Sequence, residues 1–423
     1  MNPDQDRLDS MAHVSKKPRK IRKVRFGLAA GAVLGGWLGA LVLIVLGGSW
    51  WWLLLPAAVM AGAHRILHRP GAVPVLTYHS VSDRDAWLPW APNIAVSSDL
   101  FARHLEVLAR CGARVIPTTE LVAARLEGRP VPDRAVVLHL DDGYLDNWVA
   151  AYPALKKHGM PATIFVSVDF IDPGEGLRPH LEDVEAGRVG RESLQWEGYL
   201  NADELKAMQD SGLIDIQSHG TDHARVFTGP EVIGSLTEEN WRNLAWVQWG
   251  ATAGDKSGWH RLDRPVAVPL GSPVRRNGPA LTSQAWLGDR VETPEEYSAR
   301  ALGTLRRARE ELGRIMGREI SVFCWPQNRS TIRSRELAHQ AGFTATTGGW
   351  EENRPGQDGR VLSRVHVGKD VLGLPCPWAD RLYFRAQVHV GWGSYSWYGL
   401  IFAMEIIRRG VFLFRAEPMK SQP

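Results

Sequence analysis

The chain opens polar, turns apolar for 38 residues, and then settles into an exchange of short apolar runs and helical patterns. Residues 26–63 carry no charged side chain. One bilayer crossing takes roughly 20 residues, so this run is long for one helix and sufficient for two short ones. Gly47-Gly48-Ser49 supplies a tight turn near its middle, and Trp50-Trp51-Trp52 reads as an interfacial aromatic belt. Residues 26–68 are therefore predicted to form a transmembrane segment, either one long span or a two-helix hairpin.

Beyond Pro74 the periodicity switches repeatedly between strand and helix. Residues 73–78, 113–116, 135–140, 162–168, 214–217, 320–324 and 343–347 read as short strands. Residues 99–110 place Leu100, Phe101, Leu105 and Leu108 on one helical face behind the N-cap candidates Ser97 and Ser98. Residues 119–125, 144–158, 202–210, 296–316 and 333–340 also read as helices. Such alternation predicts a parallel sheet with helical crossovers and, at this length, an α/β barrel. Residues 224–295 break the rhythm. They hold Gly, Pro and Trp in quantity and read as a long insertion, partly helical around 239–249. Residues 373–423 form a C-terminal extension. Its apolar run at 397–407 is too short to span and suits a core or interfacial helix.

Charge sharpens this division. Of 423 residues, 50 are Lys or Arg and 46 are Asp or Glu, and the sequence pI is about 9.0. Residues 1–25 alone carry eight basic and three acidic groups, so the rest of the chain is near neutral. The basic character belongs to a tail, and nucleic-acid binding by the main domain loses its support. Seven Lys or Arg between Lys16 and Arg25 instead predict a cytoplasmic N-terminus at an inner (cytoplasmic) membrane. A single span then puts the barrel outside the cytoplasm, which is the expected side for the catalytic domain, and a hairpin puts it inside. Cys111, Cys324 and Cys376 lie far apart and suggest neither a disulfide framework nor a cysteine zinc site.

Two polar clusters follow predicted strands. Asp141-Asp142-Gly143 ends the run AVVLHL, where Gly143 permits a sharp departure and both carboxylates can meet in the mouth of a barrel. A cation on one carboxylate would relieve their repulsion and leave the other as a base. The same tripeptide is also ordinary turn chemistry. Ser218-His219-Gly220-Thr221-Asp222-His223 follows IDIQ, and its two histidines at a spacing of four can chelate one divalent ion. Two surface histidines on a polar loop are the plainer alternative. One Asp and two His make the ligand set of a hydrolytic metal site with open positions.

The order of motifs resembles the polysaccharide deacetylase family (carbohydrate esterase family 4), over roughly residues 72–372 outside the insertion. The carrying segments are VPVLTYHSV at 73–81, FARHLEVLARCGARVIPTTEL at 101–121, VVLHLDDGYLDNW at 136–148, YPALKKHGMPATIFVS at 152–167, GLIDIQSHGTDH at 212–223, and SVFCWPQN with AGFTATT within 321–347. The YH segment is similar to the branch acting on N-acetylglucosamine exopolysaccharides. The resemblance implies a distorted (β/α)7 TIM-like barrel and hydrolytic removal of N-acetyl groups from a glycan. It implies Asp142, His219 and His223 as metal ligands and Asp141 as catalytic base. Zinc suits these ligands, as do cobalt, nickel, manganese and iron. The family's oxyanion donor maps to the Gln327 backbone N–H, and its late histidine acid to His366, with His389 as a lesser candidate.

In the third motif the usual Arg is absent, and Gln327-Asn328 replace the usual Tyr-Gly. The motif therefore does not identify what orients Asp141. Trp325, Trp148 and Tyr144, with Trp196 and Trp350, are candidates to meet a sugar ring; barrel packing is the alternative for each. The expected partners are an N-acetylated glycan and the membrane. A weakly active glycan-binding member, or a hydrolase of another amide or an O-acetyl ester, are the competing functions.

Overall fold

The structure is a computed structural model that describes residues 17–68, 70–349 and 352–414. The tail before Lys17 and the Trp350 candidate lie outside the described residues. Helix α1 (Lys17–Val45) and helix α2 (Leu54–Leu67) are joined by a turn through Gly47, at φ 88°, and a short helical turn at Trp50–Leu53. They pack against each other so closely that a methyl group at Gly36 would touch Val59 at 3.4 Å. Within α1, residues 27–45 are long and apolar enough to cross a membrane, a property that membrane anchors and signal sequences share. Leu34, Leu38, Leu41, Trp50 and Trp51 are exposed on this pair.

The body is a nearly closed barrel of parallel strands. In chain order these are β1 (Val75–Tyr78), β2 (Ala135–Leu140), β3 (Ala162–Val166), β4 (Ile214–Ser218), β5 (Val322–Phe323), β6 (Ala345–Gly349), β7 (Val361–Ser363) and β8 (Val365–His366). Neighbours run β7-β6-β5-β4-β3-β2-β1-β8, and the short strand Arg114–Val115 adds to the side of β2. The two ends of the path, β7 and β8, are consecutive in sequence. One stretch of chain, interrupted only at Arg364, pairs with β6 on one side and β1 on the other. Seven staves result, as the resemblance implies.

The strands are buried on both faces, which is why they read as continuous apolar runs. Leu76, Leu138, Ile164, Ile216 and Phe323 meet in one core. Helix α3 (Ser98–Arg110) begins where expected, with the Ser97 hydroxyl accepting from the Leu100 N–H. Helix α4 (Pro294–Met316) starts two residues earlier than its pattern predicts, because Thr293 and Glu296 form a capping box. It buries Tyr297, Ala301, Leu305, Ala308 and Leu312 on one face.

The 224–295 insertion differs from its sequence reading. It is built on an antiparallel strand pair, Arg225–Ser235 against Pro273–Pro279, with a short helix at Trp246–Gly250 and single helical turns at Ser257–Arg261 and Ala280–Thr282. Gly229, Pro230 and Gly234 interrupt the first strand and hide it from a periodicity test. The C-terminal extension forms helices α5 (Pro377–Gly391) and α6 (Tyr398–Phe414). Ala386, Val390, Tyr395 and Ile401 of this region pack with Ala29 of α1, so the two ends of the described chain meet.

Candidate metal centre and catalytic cavity

The C-terminal ends of β1 to β4 open into a cavity of about 780 Å³, lined by Asp141, Asp142, His219, His223, His366 and Gln327, among others. β2 delivers the two carboxylates. Asp141 continues the strand by donating its N–H to the Tyr78 carbonyl. Asp142 (φ 76°) and Gly143 (φ 70°) then turn the chain in the left-handed region, which separates the two side chains. β4 delivers His219, and the loop after it returns His223 to the same spot.

The donor atoms of Asp142, His219 and His223 all lie within 4.8 Å of one another. Asp142 Oδ1 is 3.1 Å from His219 Nε2 and 3.9 Å from His223 Nε2. The His219 ring is fixed from behind, since Nδ1 donates to the Cys324 carbonyl at 2.9 Å and leaves Nε2 as the inward lone pair. One carboxylate and two imidazoles, one of them already oriented, fit a divalent cation. The Tyr144 hydroxyl accepts from Trp90 Nε1 at 3.1 Å. Burial, with Asp142's charge adding, pushes the Tyr144 pKa well up and keeps it a neutral hydrogen-bonding group beside Asp142.

Asp141 also comes within 4.8 Å of His219 and of Cys324, but its hydrogen-bonding partners are different. Arg364 Nη1 lies 2.7 Å from both of its carboxylate oxygens, and His79 Nε2 lies 3.7 Å from Oδ2. Burial works to raise the Asp141 pKa, but Arg364, then His79 and His219, hold it down to about 2. Arg364 therefore stands where the third motif lacks its arginine, and it comes from the stave that closes the barrel. The Cys324 thiol donates to Asp141 Oδ1 from beneath at 3.6 Å.

Within this geometry residues 128–253 match the polysaccharide deacetylase family. The chain carries a polysaccharide deacetylase domain. A putative polysaccharide deacetylase, YxkH of Bacillus subtilis, is 28% identical over 155 residues, 37% of this chain and 44% of that protein. A poly-beta-1,6-N-acetyl-D-glucosamine N-deacetylase of Staphylococcus aureus is 27% identical over 130 residues, 31% of this chain and 38% of that one. The chain thus spans less than half the length of either relative. Among solved structures, a de-N-acetylase from Aggregatibacter actinomycetemcomitans aligns over 69% of this chain and 94% of its own, at 22% identity and TM-score 0.49. The BpsB deacetylase domain from Bordetella bronchiseptica aligns over 71% and 97%, at 20% identity and TM-score 0.48.

The structure distributes the remaining expected residues unevenly. His366 lies in the cavity wall, its Nε2 3.0 Å from the Asn93 carbonyl and its ring edge-on to His79 at 5.5 Å. His389 does not line the cavity; it stacks on Trp397 of the C-terminal region at 4.4 Å. Gln327 (φ 56°) and Asn328 (φ 52°) form a left-handed pair. Arg225 Nη1 donates to Gln327 Oε1 at 2.7 Å and Arg364 Nε donates to Asn328 Oδ1 at 3.2 Å, so an arginine grips each amide side chain. Four of the seven non-glycine residues with positive φ among those described (Asp142, His223, Gln327 and Asn328) sit at this site, where the surroundings hold them.

Two aromatic assignments are corrected. Trp325 is fully buried and packs edge-on to Phe323. Trp148 stacks on Tyr152 and donates to the Arg178 carbonyl inside the core. Neither lines the cavity, and Trp196 is likewise a core residue. Tyr144 does line it. Trp90, Trp246 and Trp249 line it as well; Trp90, half-buried and bonded to Tyr144, is backed at 5.5 Å by the stacked ring of Trp259 from the insertion. Arg364, His79, Arg225 and Trp90 are thus the site residues that motif reading passes over. For His79 the signal was present, in the TYH segment.

Proposed function

We propose that this chain is a membrane-anchored, metal-dependent hydrolase that removes N-acetyl groups from an aminosugar polysaccharide or lipid-linked glycan. The observation that carries the reading is the convergence of Asp142, His219 and His223 beside a carboxylate, Asp141, held separately by Arg364. A divalent ion, zinc by its donor set, would be held by those three residues and would lower the pKa of water and polarise an amide carbonyl. Asp141, ionised far below neutral pH, takes the proton of the attacking water. The Gln327 N–H donates to the oxygen on which charge develops, and Arg225 and Arg364 hold its loop so that little reorganisation is needed. His366 gives a proton to the leaving amine. Burial lowers its pKa, with the Asn93 carbonyl opposing, so the imidazolium is the minor form at neutral pH and the stronger acid once formed. Trp90 offers the ring on which a sugar stacks.

Full-length protein in detergent, reconstituted with zinc, should release acetate from N-acetylglucosamine oligomers. Chelation or His219→Ala should abolish the activity, and Trp90→Ala should raise KM by about tenfold, the worth of one stacking contact. Activity that survives metal removal would sink the reading. Ile94, Ile233, Leu244 and Val274 also line the cavity and offer no hydrogen bonds to hydroxyl groups. They favour, as a second reading, a less hydroxylated amide or an O-acetyl ester, and a panel of such substrates beside the oligomers separates the two.

The packing of α1 on α2 favours the hairpin form of the anchor, although among the described residues only 27–45 reach the length of a span and α2, with 14 residues, falls short of it. That form puts the barrel on the side of the basic N-terminal segment, and so in the cytoplasm, where a lipid-linked precursor is the accessible glycan. A C-terminal alkaline phosphatase fusion should then be inactive; an active fusion would place the barrel outside.

A further inference from the structure

We propose that Lys256, carried by the 224–295 insertion, is a positioning residue for the metal centre: it holds the loop bearing His219 and His223 in its ligating shape through Asp222. The inference rests on the metal reading above. Lys256 is buried, with its side chain only 5% exposed, and a lysine is left so deep only when its charge is paired. Its Nζ lies 3.0 Å from Asp169 Oδ2 and also bonds Asp222 Oδ2. It touches none of the three ligands.

Asp222 is the residue between the paired histidines that neither chelation nor acid–base chemistry uses. Its other oxygen, Oδ1, accepts from the Ala224 N–H at 3.2 Å and from the Thr221 hydroxyl at 3.1 Å. The carboxylate therefore brackets His223 from both sides. His223 stands at φ 55°, unfavourable for a residue with a Cβ and kept only where its neighbours fix it. Lys256 is what fixes the bracket.

Asp169 ties the arrangement to the barrel. Its N–H donates to the Thr221 carbonyl at 2.9 Å, and its own carbonyl accepts the Lys256 N–H at 2.7 Å. Its Oδ1 takes the Arg307 guanidinium of α4. Lys256 and Arg307, the latter also paired with Glu311 of its own helix, thus tie together the segment after β3, the metal loop, the insertion and α4. On this account the insertion is part of the metal centre's support as well as a wall of the cavity.

The test measures affinity for zinc alone, by competition with a chromophoric chelator, on metal-stripped full-length protein. Wild type should bind one zinc, and Lys256→Arg should stay within about threefold of it. Lys256→Met should bind ten- to a hundredfold more weakly, the usual cost of losing an outer-shell support. Lys256→Met leaves a buried carboxylate unpaired and risks unfolding. The double variant Lys256→Met/Asp222→Asn removes that charge while still cutting the tether, and it should show the same loss, with acetate release restored at saturating zinc. Wild-type affinity in either folded methionine variant overturns the proposal. No zinc binding by wild type overturns the metal reading beneath it.

Discussion

Asp141→Asn should reduce acetate release by about a thousandfold, within the range for loss of a general base, while zinc affinity is kept. The amide has the volume of the carboxylate but cannot take a proton from water. Zinc should be retained if the donor set is the proposed Asp142, His219 and His223, since Asp141 is held by Arg364. Loss of zinc together with activity would make Asp141 a ligand and reverse the roles of the adjacent carboxylates. The variant also removes the carboxylate charge that faces the buried Arg364 guanidinium, so thermal melts should show destabilisation of up to about 3–5 kcal/mol. Zinc affinity and melting together distinguish a lost base from a lost fold.

Arg364→Met should lower kcat by roughly ten- to a hundredfold and move the acidic limb of kcat/KM to higher pH. Arg364 favours the ionised form of Asp141. Without it, burial raises the Asp141 pKa, so the base is protonated, and activity lost, at a pH where wild type still works. A pH profile with an unmoved acidic limb would show that Arg364 does not act through Asp141. Stability follows the same sign. The folded-state pKa of about 2 lies below the unfolded value of roughly 3.9. The stabilisation is therefore present above about pH 4 and fades as pH falls towards 2 in wild type, and it should be missing in the variant.

The sequence made the barrel legible because its strands are buried on both faces and its helices have one apolar stripe. Each leaves a period that survives without tertiary context. The four residues Asp141, Asp142, His219 and His223 were legible for a related reason: they stand in two short clusters where apolar strands end, so proximity in sequence and in space coincide. Arg364 fails that condition. It pairs with Asp141 only because the last stave returns beside the first, and nothing local to LSRVHV announces it. Trp148 and Trp325 fail in the opposite sense. Both follow strand ends, but a strand end does not say which way the next ring turns, and packing against Tyr152 and Phe323 takes both inward. Trp90 becomes recognisable only with Trp259 behind it, and that ring arrives from the insertion.

The split closing stave has a kinetic consequence. Val365 pairs with Leu76 and Ser363 with Gly349, so this stave joins the last strand of the sheet to the first. Contacts of such sequence separation form late, after most of the chain's entropy is already spent. Arg364 sits at the junction, so Asp141 meets this guanidinium only when the cylinder shuts. A chain still emerging from the ribosome can carry both carboxylates and both histidines while Asp141 lacks its guanidinium. On the proposed roles, the Asp141–Arg364 pair would be complete only once the last stave has closed on the first.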